Sequence, residues 1–116
     1  MGNREPVNVL FVCSRNKWRS PTAEKLWRKA SGISVRSAGS SRQAIRTISI
    51  GDIRWADIIL FMEDKHKSRV SAEFRQEVRH KEIHVLDIPD DYQFMDPELC
   101  EIILQKTSVI LEPFVD

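Results

Sequence analysis

The run Val7-Asn8-Val9-Leu10-Phe11-Val12 constrains this chain more than any other segment. It is rich in β-branched and aromatic residues and shows little alternation. That pattern predicts a strand buried on both faces, the central strand of a parallel sheet. A polar stretch, Cys13 to Arg19, follows directly, and Ser20-Pro21 then opens a helix, since proline is tolerated in a first helical turn. Ala23, Leu26, Trp27 and Ala30 recur at helical spacing, with Glu24, Lys25, Arg28 and Lys29 mostly off that face. Ser31-Gly32 ends the helix.

The rest of the chain continues this alternation. Ile33–Arg36 alternate apolar and polar, as in a short strand nearer an edge, and 37–42 read as a loop containing Gly39. A short helix is expected within 49–56 and a second strongly buried strand over 57–62. Asp64 is placed to cap a helix running from about Lys65 to Glu77, with Val70 and Phe74 on its inner face. Ile83–Leu86 make another short strand, and 87–95 form a polar loop with Pro89 and Tyr92. Asp96-Pro97-Glu98 combine cap, N1 proline and acid, the components of a helix start. Leu99, Ile102, Ile103 and Ile110 give that helix an apolar face through to about Leu111, and Pro113 ends it. The reading is an α/β fold of three layers: a four-stranded parallel sheet with helices on both faces and a loop after strand 1. The length suits a single domain over 1–116.

Composition narrows the function classes. With 41% hydrophobic and 30% charged residues the chain reads as folded and soluble, and a net charge of +1 gives no global signal for nucleic acid or acidic partners. The first apolar run is too short for a membrane span and lacks a signal-peptide layout, so a cytoplasmic location and no membrane partner are expected. Met1-Gly2 is not followed by the Ser or Thr at residue 6 that N-myristoylation requires. Cys13 and Cys100 are expected as reduced thiols, with Cys100 packed in the core. His66, His80 and His84 show no metal-ligand spacing. The sequence leaves the oligomeric state open.

The chemistry concentrates after strand 1, because ligands of open parallel sheets meet the carboxyl ends of strands. A loop running from Cys13 through Ser14, Arg15, Asn16, Lys17, Trp18 and Arg19 into Ser20 can wrap backbone N–H groups around an oxyanion. Helix-end potential and nearby cations favour the thiolate of Cys13. The planar fork of Arg19 can hold two phosphoryl oxygens, and Ser20 can donate toward the thiolate. Neither glycine-rich nucleotide fingerprint occurs.

Residues 12–24, from Val12-Cys13-Ser14 to Thr22-Ala23-Glu24, resemble the phosphate-binding loop and first helix of low-molecular-weight protein tyrosine phosphatases. Ser37-Ala38-Gly39, the segment Trp55 to Glu63, and Ile88-Pro89-Asp90-Asp91-Tyr92 resemble that family's later motifs. The resemblance implies a phosphomonoester hydrolase, protein-tyrosine-phosphatase-like, working through a phosphocysteine intermediate without metal or other cofactor. Its catalytic residues would be Cys13 as nucleophile, Arg19 as clamp and Asp90 as general acid; Asp91, and then Asp96, are rivals for the acid. Asn16 would hold the loop by hydrogen bonds. Trp18, Tyr92 and Phe94 are candidates for the pocket wall. Substrates would be a phosphorylated protein or a small phosphomonoester; the basic cluster Arg15, Lys17, Arg19, Arg28 and Lys29 also admits a nucleotide or an RNA phosphate end. Three departures stand out: Arg15 where the family has glycine, a shorter stretch between Gly39 and Ile50, and Asp91 where proline usually follows the acid. Two other functions fit the same loop. One is an arsenate reductase using Cys100 or an external thiol; the other is a module that binds phosphate or a phosphorylated ligand without turnover.

Overall fold

The computed structural model describes residues 5–116; Met1-Gly2 and the myristoylation question lie outside the described residues. The elements are β1 (Val7–Cys13), α1 (Arg19–Trp27), β2 (Ile33–Gly39), α2 (Ile50–Trp55), β3 (Ile58–Phe61), α3 (Asp64–Glu73), α4 (Arg75–Val78), β4 (Glu82–Val85) and α5 (Pro97–Leu111), with a 3₁₀ turn over Glu112–Phe114. The sheet has four parallel strands in the order β2-β1-β3-β4. No helix among the described residues is long and apolar enough to cross a membrane.

β1 shows why its sequence is unbroken by polar residues over its second half. Val9 and Phe11 point into one core, where Ala23 and Trp27 of α1 meet Leu99, Ile103 and Leu111 of α5. Leu10 and Val12 point into the other, against Ile53 of α2, Val70 of α3 and Val78 of α4. All four strand residues are at 0% exposure. Burying a side chain of this size stabilises by about 1.5–3 kcal/mol, so a strand buried on two faces anchors both layers.

Four expectations need correction. β2 continues through Ser37, Ala38 and Gly39, because these residues pair in register with Phe11, Val12 and Cys13. The helix expected to reach Glu77 breaks at Phe74 (φ −124, ψ 49), and α4 restarts at a new angle that delivers Val78 to the second core. Its N-cap is Glu63, one residue earlier than Asp64, because the Glu63 N–H is taken up by the His66 ring. Cys100, expected in the core, is only half-buried; its neighbours Leu99 and Ile103 take the inward face of α5.

The chain runs from β1 outward to β2 on one side and from β3 to β4 on the other. The order therefore reverses between β1 and β3, and a crevice opens at their carboxyl ends.

Candidate active site

Cys13 is the last residue of β1 and is 3% exposed. The loop beyond it turns through Asn16, whose φ of 56 lies in the left-handed region that asparagine tolerates better than most residues. Arg15 does not adopt a positive φ, so its side chain introduces no backbone strain there. Asn16 Nδ2 donates to Ser20 Oγ (3.0 Å) and to Ser37 Oγ (2.9 Å), and Ser37 Oγ donates to Glu24 (2.5 Å). Ser20 Oγ lies 2.9 Å from Cys13 Sγ. A thiolate can only accept, so with Cys13 ionised the Ser20 hydroxyl is the donor.

The loop's carbonyls are clamped from outside. Ser40 N–H donates to Cys13 O, Ser41 N–H to Ser14 O and Ile45 N–H to Arg15 O. Gly39 permits this approach: a Cβ there would lie 2.4 Å from Ala44 Cβ and 2.6 Å from Ser14 O. With the carbonyls so engaged, none of the backbone N–H groups from Ser14 to Trp18 is taken up by another described residue. A run of unpaired amides beside a helix start is the arrangement that receives an anion.

Arg19 is 2% exposed. Its Nη1 donates to Glu63 Oε1 (2.5 Å) and to the carbonyl of Ile88 (2.8 Å), while Nε lies 3.5 Å from Asp90 Oδ1. Burial would raise the Glu63 pKa, but the hydrogen bond and charge of Arg19 outweigh it and hold the carboxyl below its ordinary 4.5. The two contacts thus hold the guanidinium through Nη1 and leave Nε, beside Asp90, and Nη2 outside that grip. His66, 1% exposed, accepts the Glu63 N–H at Nδ1 (3.0 Å), which leaves the ring proton on Nε2 to donate to Ser14 Oγ (2.9 Å). Burial, helped by the Arg19 charge, lowers its pKa from 6.5 to about 4, so the ring is neutral at neutral pH.

Cys13, Ser14, Arg15, Lys17, Trp18, Arg19 and Asp90 line one cleft of about 240 Å³. Asn16 and Ser20 are buried behind it. Asp91 is exposed and does not line the cleft, and Asp96 is committed to capping α5, accepting from Glu98 N–H. Tyr92 donates to Glu98 (2.9 Å) and packs on the first core rather than on the cleft. Phe94 sits under Lys25, also outside it. Cys100 does not reach the cleft. Among the described residues no group of three or more His, Cys, Asp or Glu side chains is placed to hold a metal ion. Sequence reasoning missed Glu63, His66 and the Ser37–Glu24 pair. The available signal was topological: the first turn after the second buried strand borders the crevice, so polar residues there face the same ligand.

No family model and no curated protein matches the sequence. Solved structures do match in fold. The tyrosine phosphatase Wzb from Escherichia coli K30, in complex with phosphate, is 19% identical and covers 94% of this chain and 99% of its own, with a TM-score of 0.77. SP-PTP, a low molecular weight protein tyrosine phosphatase from Streptococcus pyogenes, is 18% identical over 95% of this chain and 94% of its own, with a TM-score of 0.76. YwlE arginine phosphatase from Geobacillus stearothermophilus is 22% identical over 93% and 94%, with a TM-score of 0.67. The fold is the one these phosphatases share.

Proposed function

We propose, from a fold shared with low-molecular-weight protein tyrosine phosphatases, that this chain is a cysteine-dependent phosphomonoester hydrolase. One observation carries the reading: Cys13, Arg19 and Asp90 line a single cleft together with a loop whose amides no other described residue takes up. The phosphoryl group rests on the N–H groups of 14–18 and on the Nε edge of Arg19, which face the charge that develops on its equatorial oxygens. The Cys13 thiolate attacks phosphorus and forms an S–P bond while the P–O bond to the leaving group breaks. Asp90, at the cleft mouth, gives its proton to the departing oxygen. Water then attacks phosphorus, passes a proton to Asp90 and releases phosphate, and the S–P bond breaks to restore the thiolate. The Ser20 hydroxyl, 2.9 Å away, stabilises that thiolate as it departs. The thiol relay of an arsenate reductase has weaker support, since Cys100 does not line the cleft.

The test is hydrolysis of p-nitrophenyl phosphate by the wild-type chain and by Cys13→Ser. Wild-type turnover with none detectable in the variant is expected, because a hydroxyl without a dedicated base is a poor nucleophile. Near-normal turnover by Cys13→Ser would remove the covalent mechanism. Tight phosphate binding without turnover of any phosphomonoester would leave a binding module.

A further inference from the structure

The floor of the cleft and its mouth carry different charge. Arg19 at the floor is already offset by Glu63 and Asp90. Arg15 and Lys17 at the mouth are exposed, and among the described residues neither forms an ion pair. Both line the same cleft as Cys13. Arg15 is held there by its backbone, its carbonyl tied to Ile45 N–H at 2.9 Å. Lys17 is held by its own side chain, with Nζ 4.9 Å from the centre of the Trp18 ring.

The same contacts work against an aromatic leaving group. Lys17 covers one face of Trp18, the one aromatic that lines the cleft among the described residues. Tyr92 is turned to Glu98. An aryl ring would find a single, partly covered wall and two cations, whereas a second anion would find two donors that pair with no carboxylate among the described residues, Asp90, which also lines the cleft, lying against Arg19 instead.

Resting on the hydrolase reading above, we propose that Arg15 and Lys17 are specificity-determining residues and that the substrate class is a compact phosphomonoester with a second anionic group in its leaving group, such as a small bisphosphate. The scissile phosphate occupies the amide floor and the second anion is shared by the two side chains. Each exposed charge pair contributes a factor of roughly two to five, so the two together give a preference of roughly tenfold.

The experiment measures kcat/KM for propanediol bisphosphate, propanediol monophosphate, phosphocholine and an acidic phosphotyrosyl peptide, with p-nitrophenyl phosphate as reference. The expected order is bisphosphate first, monophosphate roughly tenfold lower after correction for two equivalent ends, and phosphocholine lowest because its cation is repelled. The bisphosphate-to-monophosphate ratio should fall toward unity in Arg15→Gln/Lys17→Gln, and in the wild-type chain as salt rises. The salt series keeps the test valid should the double variant fail to fold. A wild-type chain that hydrolyses p-nitrophenyl phosphate with a ratio near unity overturns this inference and leaves the hydrolase standing. Preference for the acidic peptide over the bisphosphate overturns the compact class. No turnover of any substrate removes the hydrolase reading, and this inference with it.

Discussion

Along the inner wall of the cleft and behind it the polar side chains already have their partners. Arg19 is gripped by Glu63 and Ile88, Ser14 by His66, and Asn16, Ser20, Ser37 and Glu24 form one chain of hydrogen bonds. At the rim Arg15 and Lys17 are exposed and unpaired with carboxylates among the described residues, and Asp90 is 53% exposed. The inner wall is suited to chemistry that tolerates no misplacement, since polar groups buried there are costly to leave unsatisfied. The rim is suited to recognition and proton transfer, where side chains must yield to an incoming ligand. Substitutions on the inner wall should therefore remove catalysis or stability, and those at the rim should change which substrates are used.

The largest effect sharpens that division. Arg19→Lys should lower kcat/KM about 10³-fold, because an ammonium cannot hold Glu63, Ile88 and two phosphoryl oxygens at once. Steady-state kinetics on p-nitrophenyl phosphate would check it, and unchanged values would remove Arg19 from the clamp. Asp90→Asn, at the rim, should cost about 10²-fold on an alkyl phosphate but far less on an ester whose leaving group needs no proton. The same loss confined to Asp91→Asn would transfer the acid to Asp91, an exposed neighbour outside the cleft.

His66 tests the inner wall through stability. Its folded pKa, about 4, lies below the ordinary 6.5. Between these values the unfolded chain binds a proton that the folded chain refuses. Stability is therefore full above pH 6.5 and falls as pH drops toward about 4, by up to about 1.4 kcal/mol per pH unit from this group. Urea unfolding across the upper part of that window should show the slope, and His66→Asn should flatten it. An equal slope in the variant would show that the histidine is not held neutral. Glu63 and Asp52, held below their ordinary 4.5 and 3.8, lose their contribution only at lower pH.

The smallest effect is expected from Cys100, which touches neither wall nor rim. Cys100→Ala should cost about 1 kcal/mol or less, since the residue is half-buried, and should leave turnover unchanged. Lost turnover in a folded variant would restore a thiol relay.

What the sequence revealed follows the same division. β1 and α5 were legible because their signals are local: an apolar run, and the Asp96-Pro97 start. Cys13 and Arg19 were legible as candidates because strand, loop and helix start are contiguous, and both line the cleft. Glu63 and His66 were not, because their partners Arg19 and Ser14 lie 44 and 52 residues away. The break at Phe74 was hidden for a related reason: Val70 and Phe74 fit one helix face, and what interrupts it is the reach of Val78 to a core built from other segments. Tyr92 was read toward the cleft, and its hydrogen bond to Glu98, set by the start of α5, turned it away.

The account depends most directly on a covalent bond between phosphorus and Cys13. Asp90→Asn should slow both protonation of the leaving group and activation of water, so with an activated ester the intermediate should accumulate. Quenching that variant during turnover in alkaline denaturant and digesting it at alkaline pH should yield the Cys13 peptide carrying one phosphoryl group on sulfur, absent from Cys13→Ala. Turnover at full rate with no sulfur-bound phosphoryl group at any quench time would contradict the account.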